Sequence, residues 1–149
     1  MSSLTQRITE DIRTAMRAKD KARLGVLRLI SAAIKQREVD ERITLDEAQV
    51  IAVLDKMAKQ RRESLDQYRS AGREDLAQQE EFELNVLRDY LPQPLSESEL
   101  EQLIDSAVQS TGASSIKDMG QVMGVLRPQV QGRADMSAVS ARIKARLNG

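Results

Sequence analysis

The run Leu91-Pro92-Gln93-Pro94-Leu95 divides the chain into two parts. Two prolines one residue apart cannot continue a helix, because each lacks a backbone N–H and restricts the residue before it. The sequence on both sides of this run has helical periodicity. We therefore predict an N-terminal helical domain over residues 1–91 and a smaller C-terminal domain over residues 95–149.

On the N-terminal side, apolar residues recur at helical spacing in four segments. The first helix is predicted to start after Ser3 and the second at Asp20. The third is predicted to open with a capping box at Thr44-Leu45-Asp46-Glu47 and to end near Gly72. The predicted core positions are Leu4, Ile8, Ile12 and Met16; Leu24, Leu27, Ile30 and Ile34; Ile51, Leu54, Met57, Ala58, Leu65 and Tyr68; and Leu76, Phe82, Val86, Leu87 and Tyr90.

On the C-terminal side the same pattern predicts three helices. A capping box at Ser96-Glu97-Ser98-Glu99 opens the fifth helix of the chain, and Gly112 stops it. Ser115 and Asp118 open the sixth, which ends at Gly132, and Asp135 caps the seventh. No segment shows the alternation typical of strands, so the fold class is predicted to be all-α. The predicted core positions are Leu100, Leu103, Ile104 and Val108; Met119, Val122, Met123 and Leu126; and Val139, Ile143 and Leu147.

Composition excludes several kinds of chemistry. The 149 residues include no Cys and no His, which removes thiolate nucleophiles, imidazole bases and the usual zinc ligands. No apolar run approaches the roughly 18 residues of a membrane span, so no membrane association is expected. Because residues 1–7 also lack the apolar core of a secretory signal, we expect a cytoplasmic protein.

Charge is balanced overall but unevenly distributed. There are 23 basic and 23 acidic residues, and blocks of opposite sign alternate along the chain. Pairing between adjacent helices is the simplest explanation of these blocks over residues 1–91. It accounts less well for the basic block at 117–149, because the acidic stretch before this block is too short to pair well with it.

Several stretches are similar to a known family. They are Ala18-Lys19-Asp20-Lys21, Val26-Leu27-Arg28 preceded by Leu24, Ala71-Gly72-Arg73-Glu74-Asp75-Leu76, Tyr90-Leu91-Pro92, Gly112-Ala113-Ser114-Ser115, Lys117-Asp118-Met119-Gly120-Gln121-Val122-Met123-Gly124 and Gly132-Arg133-Ala134-Asp135. Together they resemble the YqeY-like proteins of the GatB/YqeY family, over nearly the whole chain. The family shares its helical region with the tRNA-contacting tail of GatB, a subunit of a glutamine-dependent tRNA amidotransferase.

The resemblance implies an all-α, tRNA-associated protein and a family-level assignment as a carbon–nitrogen ligase that uses glutamine as amido-nitrogen donor. The residues themselves show no machinery for that reaction. The seven glycines never cluster as a phosphate loop requires, and Ser114-Ser115 reads as a helix start. The acidic residues Glu80, Glu81 and Glu83 read as a solvated helix face. We predict no catalytic residues, no cofactor and no metal site.

Gly120 and Gly124 lie four residues apart on one face of the predicted sixth helix. Each costs about 0.8–1.0 kcal/mol of helix stability relative to Ala, so something should offset this penalty. Close packing against another helix is the favoured explanation, and close approach of an RNA backbone is the alternative. Pro128 crowds the carbonyl of Gly124, which predicts a kink or an early end of the helix.

Basic residues surround this segment, and as a group they form a hypothetical RNA-binding site. For a single arginine a solubilising role is the better interpretation, but a guanidinium beside free helix N–H groups can hold phosphate. The predicted RNA-binding residues are Lys117, Gly120, Gly124, Arg127, Arg133, Arg142 and Arg146, with Lys144 nearby. Because only 2% of residues are aromatic, we expect recognition of folded RNA by shape rather than by base stacking.

An alternative from another class is a non-catalytic protein-interaction module. It would use the third helix, Met57 and the Met119/Met123 pair to dock a translation-related partner such as an amidotransferase or an aminoacyl-tRNA synthetase. Methionines at helical spacing are more often plain core. RNA retention by the pure protein, with a strong dependence on salt, separates the two hypotheses.

Overall fold

The computed structural model describes residues 2–148, which fold into α-helices joined by short loops. The helices are α1 (Ser3–Arg17), α2 (Lys21–Glu41), α3 (Glu47–Ser70), α4 (Glu74–Arg88), α5 (Glu97–Thr111), α6 (Met119–Val130) and α7 (Met136–Asn148), with a 3₁₀ helix over Ile116–Asp118 before α6. No strand occurs within residues 2–148, so the all-α prediction is confirmed.

Two compact units divide the chain, Met1–Leu91 and Pro92–Gly149. The first contains α1 to α4 and the second contains α5 to α7. Each unit has a separate cluster of buried apolar side chains. That residues 1–91 and 95–149 are independent domains stays a prediction, and its test is whether each part folds when expressed alone.

In the N-terminal unit, helix ends are set by local caps. The Asp20 carboxylate accepts a hydrogen bond from the Arg23 N–H at 3.1 Å, as predicted for the start of α2. Gly72 adopts φ 72° after α3, and this left-handed turn lets the Arg73 N–H reach the Tyr68 carbonyl at 2.8 Å. The chain reverses there, and α3 packs along α4.

The predicted cap of α3 is wrong by two residues. The capping box is formed by Asp46 and Gln49 instead of Thr44 and Glu47. Leu45 is only 1% exposed, so the chain must first place this side chain in the core before the helix begins. The Glu47 carboxylate is used elsewhere, because it accepts hydrogen bonds from the Ser3 N–H at 3.2 Å and the Leu4 N–H at 3.1 Å, at the start of α1.

Three predicted core residues lie at the surface: Met16, Leu76 and Phe82. Residues four apart drift by about 40° around a helix, so a series of such steps turns away from the core. In α1 the position seven residues after Ile8, Ala15, is buried, while Met16 is 52% exposed. In α4, Ala77 and Leu84 take the inward positions.

The C-terminal unit packs α5, α6 and α7 around eight buried apolar side chains, which include Ile104, Leu126 and Ile143. The capping box of Ser96 and Glu99 is confirmed, and Gly112 ends α5 with φ 66°. The carboxylate of Asp118 accepts hydrogen bonds from the backbone N–H groups of Ser114 and Ser115, at 2.9 and 3.2 Å.

Pro128 does not end α6 early, because the helix continues to Val130. The carbonyl that loses its hydrogen-bond partner belongs to Gly124, which is exposed. An exposed carbonyl can tilt towards water, so this loss is tolerated near the end of the helix. Among the described helices, none combines the length and the apolar character needed to cross a membrane.

Candidate nucleic-acid interface

Gly120 and Gly124 lie on the exposed side of α6. A Cβ at either position would have no tertiary neighbour within 4 Å. Close packing between helices, the favoured explanation of these glycines, is therefore wrong. For Gly124, in the interior of α6, packing within residues 2–148 does not offset the helix-propensity cost of about 0.8–1.0 kcal/mol.

Lys117 and Arg127 stand at the two ends of this glycine pair, and Lys144 is an exposed cation of α7. Within residues 2–148, none of the three forms an ion pair. Gly120, Gly124 and Arg127 follow each other at spacings of four and three residues, which places them on one side of α6, and Lys117 precedes them in the 3₁₀ helix Ile116–Asp118. We call these four residues the glycine stripe.

Arg142 and Arg146 share a face of α7, as their spacing predicts, and this face meets α5. One terminal nitrogen of Arg142 lies 2.9 Å from a Glu97 carboxylate oxygen and 2.8 Å from one of Glu101. Arg146 pairs with Asp105. Acidic residues of the preceding stretch thus pair with part of the basic block at 117–149. The expectation that this stretch is too short for such pairing is wrong for Arg142 and Arg146.

Arg133 is also engaged within its own unit. Its Nε donates to the Gln93 carbonyl at 3.0 Å, and its backbone carbonyl accepts from the Leu95 N–H at 2.8 Å. These bonds hold the proline segment against the loop before α7. The Asp135 carboxylate accepts from the Ser137 N–H at 3.0 Å, as predicted for the cap of α7. Hydrogen bonds from Ser96, with Arg133 nearby, hold the pKa of Glu99 below its usual value.

A cleft of about 310 Å³ lies between α6 and α7, next to Arg127. Its lining residues are Met123, Arg127, Gln131, Met136, Ser137 and Ser140. The Ser140 hydroxyl lies 3.9 Å from the Met123 sulfur. Sequence reasoning missed the two serines, although Ser137, Ser140 and Lys144 recur at helical spacing on α7. The cleft places hydroxyl groups and a guanidinium around one concave surface.

The methionines singled out in the sequence belong mainly to the cores. Met119 and Met123 are half-buried and pack against the C-terminal cluster, and Met57 packs against the N-terminal one. Met57 also lines a cleft between α2 and α3. These positions leave little free methionine surface for a partner.

Two of the three acidic residues predicted to form a solvated face of α4, Glu80 and Glu83, are largely buried, whereas the Glu81 side chain is 46% exposed. The Glu83 and Glu80 side chains are only 14% and 19% exposed, and their carboxylates lie 2.7 and 3.6 Å from the Arg61 Nε. One oxygen of Glu80 is buried without a hydrogen-bond partner. Burial, followed by the neighbouring Glu83 carboxylate, raises the pKa of Glu80.

A second polar cluster, which sequence reasoning missed, surrounds Tyr90. The phenol donates to the Asp11 carboxylate, and the Arg7 guanidinium lies 4.6 Å from the centre of the ring. Arg23 pairs with Asp89 at 3.2 Å. Burial, followed by the hydrogen bond to Asp11, raises the pKa of Tyr90 to about 12. The phenol therefore stays protonated and ties the end of α4 to α1.

No group of three or more side chains within residues 2–148 is arranged to hold a metal ion.

A family model described as Yqey-like protein matches residues 5–147. The chain belongs to this family. The resemblance found in the sequence is thus confirmed for nearly the whole length of this Yqey-like protein.

Three curated relatives carry one name, "Altered inheritance of mitochondria protein 41, mitochondrial". The relative from Pyrenophora tritici-repentis is 33% identical over 142 residues, which cover 93% of this chain and 77% of the relative. The relative from Eremothecium gossypii is 35% identical over 56% of this chain and 46% of its own length. The relative from Vanderwaltozyma polyspora is 30% identical over 75% of this chain and 64% of its own length.

The expected cytoplasmic location is contradicted by these relatives, which are named as mitochondrial proteins. The expectation rested on the absence of an apolar secretory core. Mitochondrial targeting segments are amphipathic and rich in arginine, so that criterion does not address them. The printed names mention neither tRNA nor amide transfer, and both stay predictions for this Yqey-like protein.

Proposed function

We propose that this protein binds folded RNA, with tRNA as the predicted case, through RNA phosphates that contact the glycine stripe. The observation that carries the proposal is the pair Gly120 and Gly124, exposed on α6. Within residues 2–148 the pair has no packing neighbour, and the flanking cations Lys117 and Arg127 form no ion pair. The part of the stripe on α6, from Gly120 to Arg127, extends over about 10 Å of helix.

Glycine lets another backbone approach a helix closely, because no side chain stands between the two. Lys117 and Arg127 then supply the charge that phosphates need. A phosphate contact of this kind releases counterions and makes binding strongly dependent on salt. The low aromatic content fits a ligand recognised by its backbone shape.

The primary contact set is narrower than the sequence suggests. Arg133, Arg142 and Arg146 already hydrogen-bond or pair with groups of their own unit, so an RNA phosphate would have to compete for them. Lys144 is exposed on α7, which packs against the 3₁₀ helix that contains Lys117, and it adds a further cation.

The proposed activity is binding without bond making or breaking. The glutamine-dependent ligase activity implied by the resemblance stays a prediction, and so do the suggested amidotransferase and synthetase partners. Glutaminase turnover by the pure protein would contradict a purely binding role.

The first experiment measures retention of bulk tRNA by filter binding as a function of salt. Three phosphate contacts, one each for Lys117, Arg127 and Lys144, give a log–log slope of about −2 to −3. The variant Lys117→Ala/Arg127→Ala should lose about two units of slope, because each phosphate contact contributes about one. Lys56→Ala/Lys59→Ala, which removes the same charge from exposed positions of α3, should leave the slope unchanged.

A steric variant separates binding from folding. Gly124→Leu places a side chain in the stripe and improves helix propensity, so we expect at least about ten-fold weaker tRNA binding with no loss of stability. Gly25→Leu, at an exposed glycine of α2, is the matched control. Equal tRNA binding by Gly124→Leu and wild type would contradict the proposal.

A further inference from the structure

The side of α2 that faces away from the core is itself apolar. Its residues follow each other at alternating spacings of three and four: Ala22, Gly25, Leu29, Ala32, Gln36 and Val39. We call them the α2 seam. Leu29 is 48% exposed and Val39 is 71% exposed. These two large apolar side chains share one exposed face, and apart from Gln36 the other seam residues are Ala or Gly.

The α2 seam is not explained by packing within residues 2–148. The core side of the same helix buries Val26, Leu27, Ile30 and Ile34. Opposite to them, all six seam residues are exposed, and a Cβ at Gly25 would have no tertiary neighbour within 4 Å. The helix is therefore apolar on two sides, and only one of them is covered.

The spacing of the seam residues indicates that a helix is the partner that would fit them. Alternation of three and four residues is the repeat that keeps one helix against another in a coiled coil. Ala22, Gly25 and Ala32 let a second helix approach closely, and Leu29 and Val39 project from the seam. An apolar cleft of about 560 Å³ adjoins it between α2 and α3 and shares Gln36 with it.

A row of cations specifies the charge of the partner. Lys21, Arg28 and Lys35 are exposed at seven-residue intervals along one flank of the seam. Within the described part of the chain, none of them forms an ion pair. Residues that flank a helical seam choose partners by charge.

A second copy of α2 fits this row poorly. In an antiparallel pair, the cationic flank of one copy would face the cationic flank of the other. In a parallel pair, the row would face Val26, Ala33 and Asp40, which offer a single opposite charge. A helix with acidic residues beside its apolar strip satisfies all three cations.

We propose that the α2 seam binds an amphipathic helix of another protein, with Lys21, Arg28 and Lys35 facing acidic residues on that helix. This surface is separate in sequence from the glycine stripe, and the proposal does not depend on RNA binding.

The test uses the full chain and two fluorescent helical peptides of about three heptads, with Leu and Ala along the seam. One peptide carries Glu at all flanking positions and the other carries Lys. We expect the Glu peptide to bind at least about ten-fold more tightly in anisotropy titrations. Arg28→Glu/Lys35→Glu should invert this preference, and Leu29→Glu should weaken both peptides, while circular dichroism stays unchanged.

The glycine stripe supplies the reciprocal control. Lys117→Glu/Arg127→Glu should keep the preference for the Glu peptide and lose tRNA, whereas Arg28→Glu/Lys35→Glu should keep tRNA. No saturable binding of the Glu peptide, or no inversion by charge reversal, overturns the proposal. Self-association of the protein abolished by Leu29→Glu would overturn it in favour of a second copy. Loss of tRNA on reversal at Arg28 and Lys35 would assign this row to nucleic acid.

Discussion

α2 and α6 each have a side that faces water and carries glycine with empty space around it, but the surroundings of these glycines differ. On α2, Gly25 belongs to a strip with Leu29 and Val39, and the cations lie along one flank. Gly120 and Gly124 of α6 lie between Lys117, in the preceding 3₁₀ helix, and Arg127. The glycines are equivalent in physical terms, so the neighbouring side chains decide which ligand chemistry fits.

The comparison teaches that a helix in a small α-helical protein has two separable tasks. Side chains on one side pack in the core, so their removal lowers the free energy of unfolding. Side chains on the other side have no packing partner within the described residues, so their removal should weaken binding without lowering stability. Substitutions on the two sides of a helix should therefore affect different measurements.

The largest expected effect separates the two sides of α2. Ile30→Ala removes a fully buried side chain, so we expect a loss of about 2–5 kcal/mol in the free energy of unfolding. Leu29→Ala, one residue earlier on the exposed side, should change it by no more than about 0.5 kcal/mol. Urea denaturation measures both. A large loss for Leu29→Ala would mean that the seam is already covered within the protein.

The next effect tests whether the exposed glycines are free of internal constraints. Gly124→Ala and Gly25→Ala, in helix interiors, should each raise the free energy of unfolding by about 1 kcal/mol, and Gly120→Ala, in the first turn of α6, should raise it by less. Gly112→Ala is the contrasting control, because Gly112 has φ 66° and Ala would be strained there. Destabilisation by any exposed substitution would contradict the open space found at these positions.

A smaller effect separates the paired from the unpaired cations of the C-terminal unit. Arg142→Ala breaks two partly exposed ion pairs, so we expect a loss of about 0.5–1 kcal/mol in unfolding free energy and little change in the salt slope of tRNA binding. Arg127→Ala should leave stability unchanged and lower the slope by about one unit. The reverse result would place Arg142 in the RNA contact set and remove Arg127 from it.

The smallest expected effect concerns Glu80, which has one carboxylate oxygen buried without a hydrogen-bond partner. The pKa of Glu80 is raised above its usual value of 4.5, so the folded protein holds this proton more tightly than the unfolded chain does. The resulting stability is fully present below about pH 4.5 and is lost as pH rises through the folded-state pKa.

Glu80→Gln has no carboxyl group to ionise at this position, so it does not lose this stability as pH rises. In urea titrations, its free energy of unfolding relative to wild type should therefore increase with pH across that window. Glu63→Gln, at an exposed position of α3, should show no such trend. A Glu80→Gln variant that falls behind wild type as pH rises would mean that Arg61 dominates the environment of Glu80.

Local chemistry was readable from the sequence wherever a few adjacent residues decide the outcome. The caps at Asp20, Ser96 and Asp135 and the left-handed turns at Gly72 and Gly112 needed only side-chain oxygens or the absence of a Cβ within one turn of the helix end. The cap of α3 failed because Leu45 is required in the core, a demand that no local rule contains.

The sequence predicts less well which cations belong to the proposed RNA-binding surface, because this depends on which charges meet across helices. Arg142 and Arg127 look alike in the sequence, yet one lies against Glu97 and Glu101 while the other faces solvent. Spacing and helix-propensity cost single out the glycine pair in the sequence, but the close helix packing predicted for it is wrong. Only neighbours brought by the fold distinguish a packed glycine from an open one.

The sequence alone determined the all-α class, the helix ends set by local caps and the family, since these follow from short-range periodicity and from motifs within single segments. Tertiary structure alone decided that Arg142 and Arg146 face acids of α5, that Glu80 is held near Arg61, and that α2 and α6 each keep one uncovered side. The physical reason is that burial and ion pairing are properties of residue pairs far apart in the chain, whereas capping and periodicity are properties of neighbours.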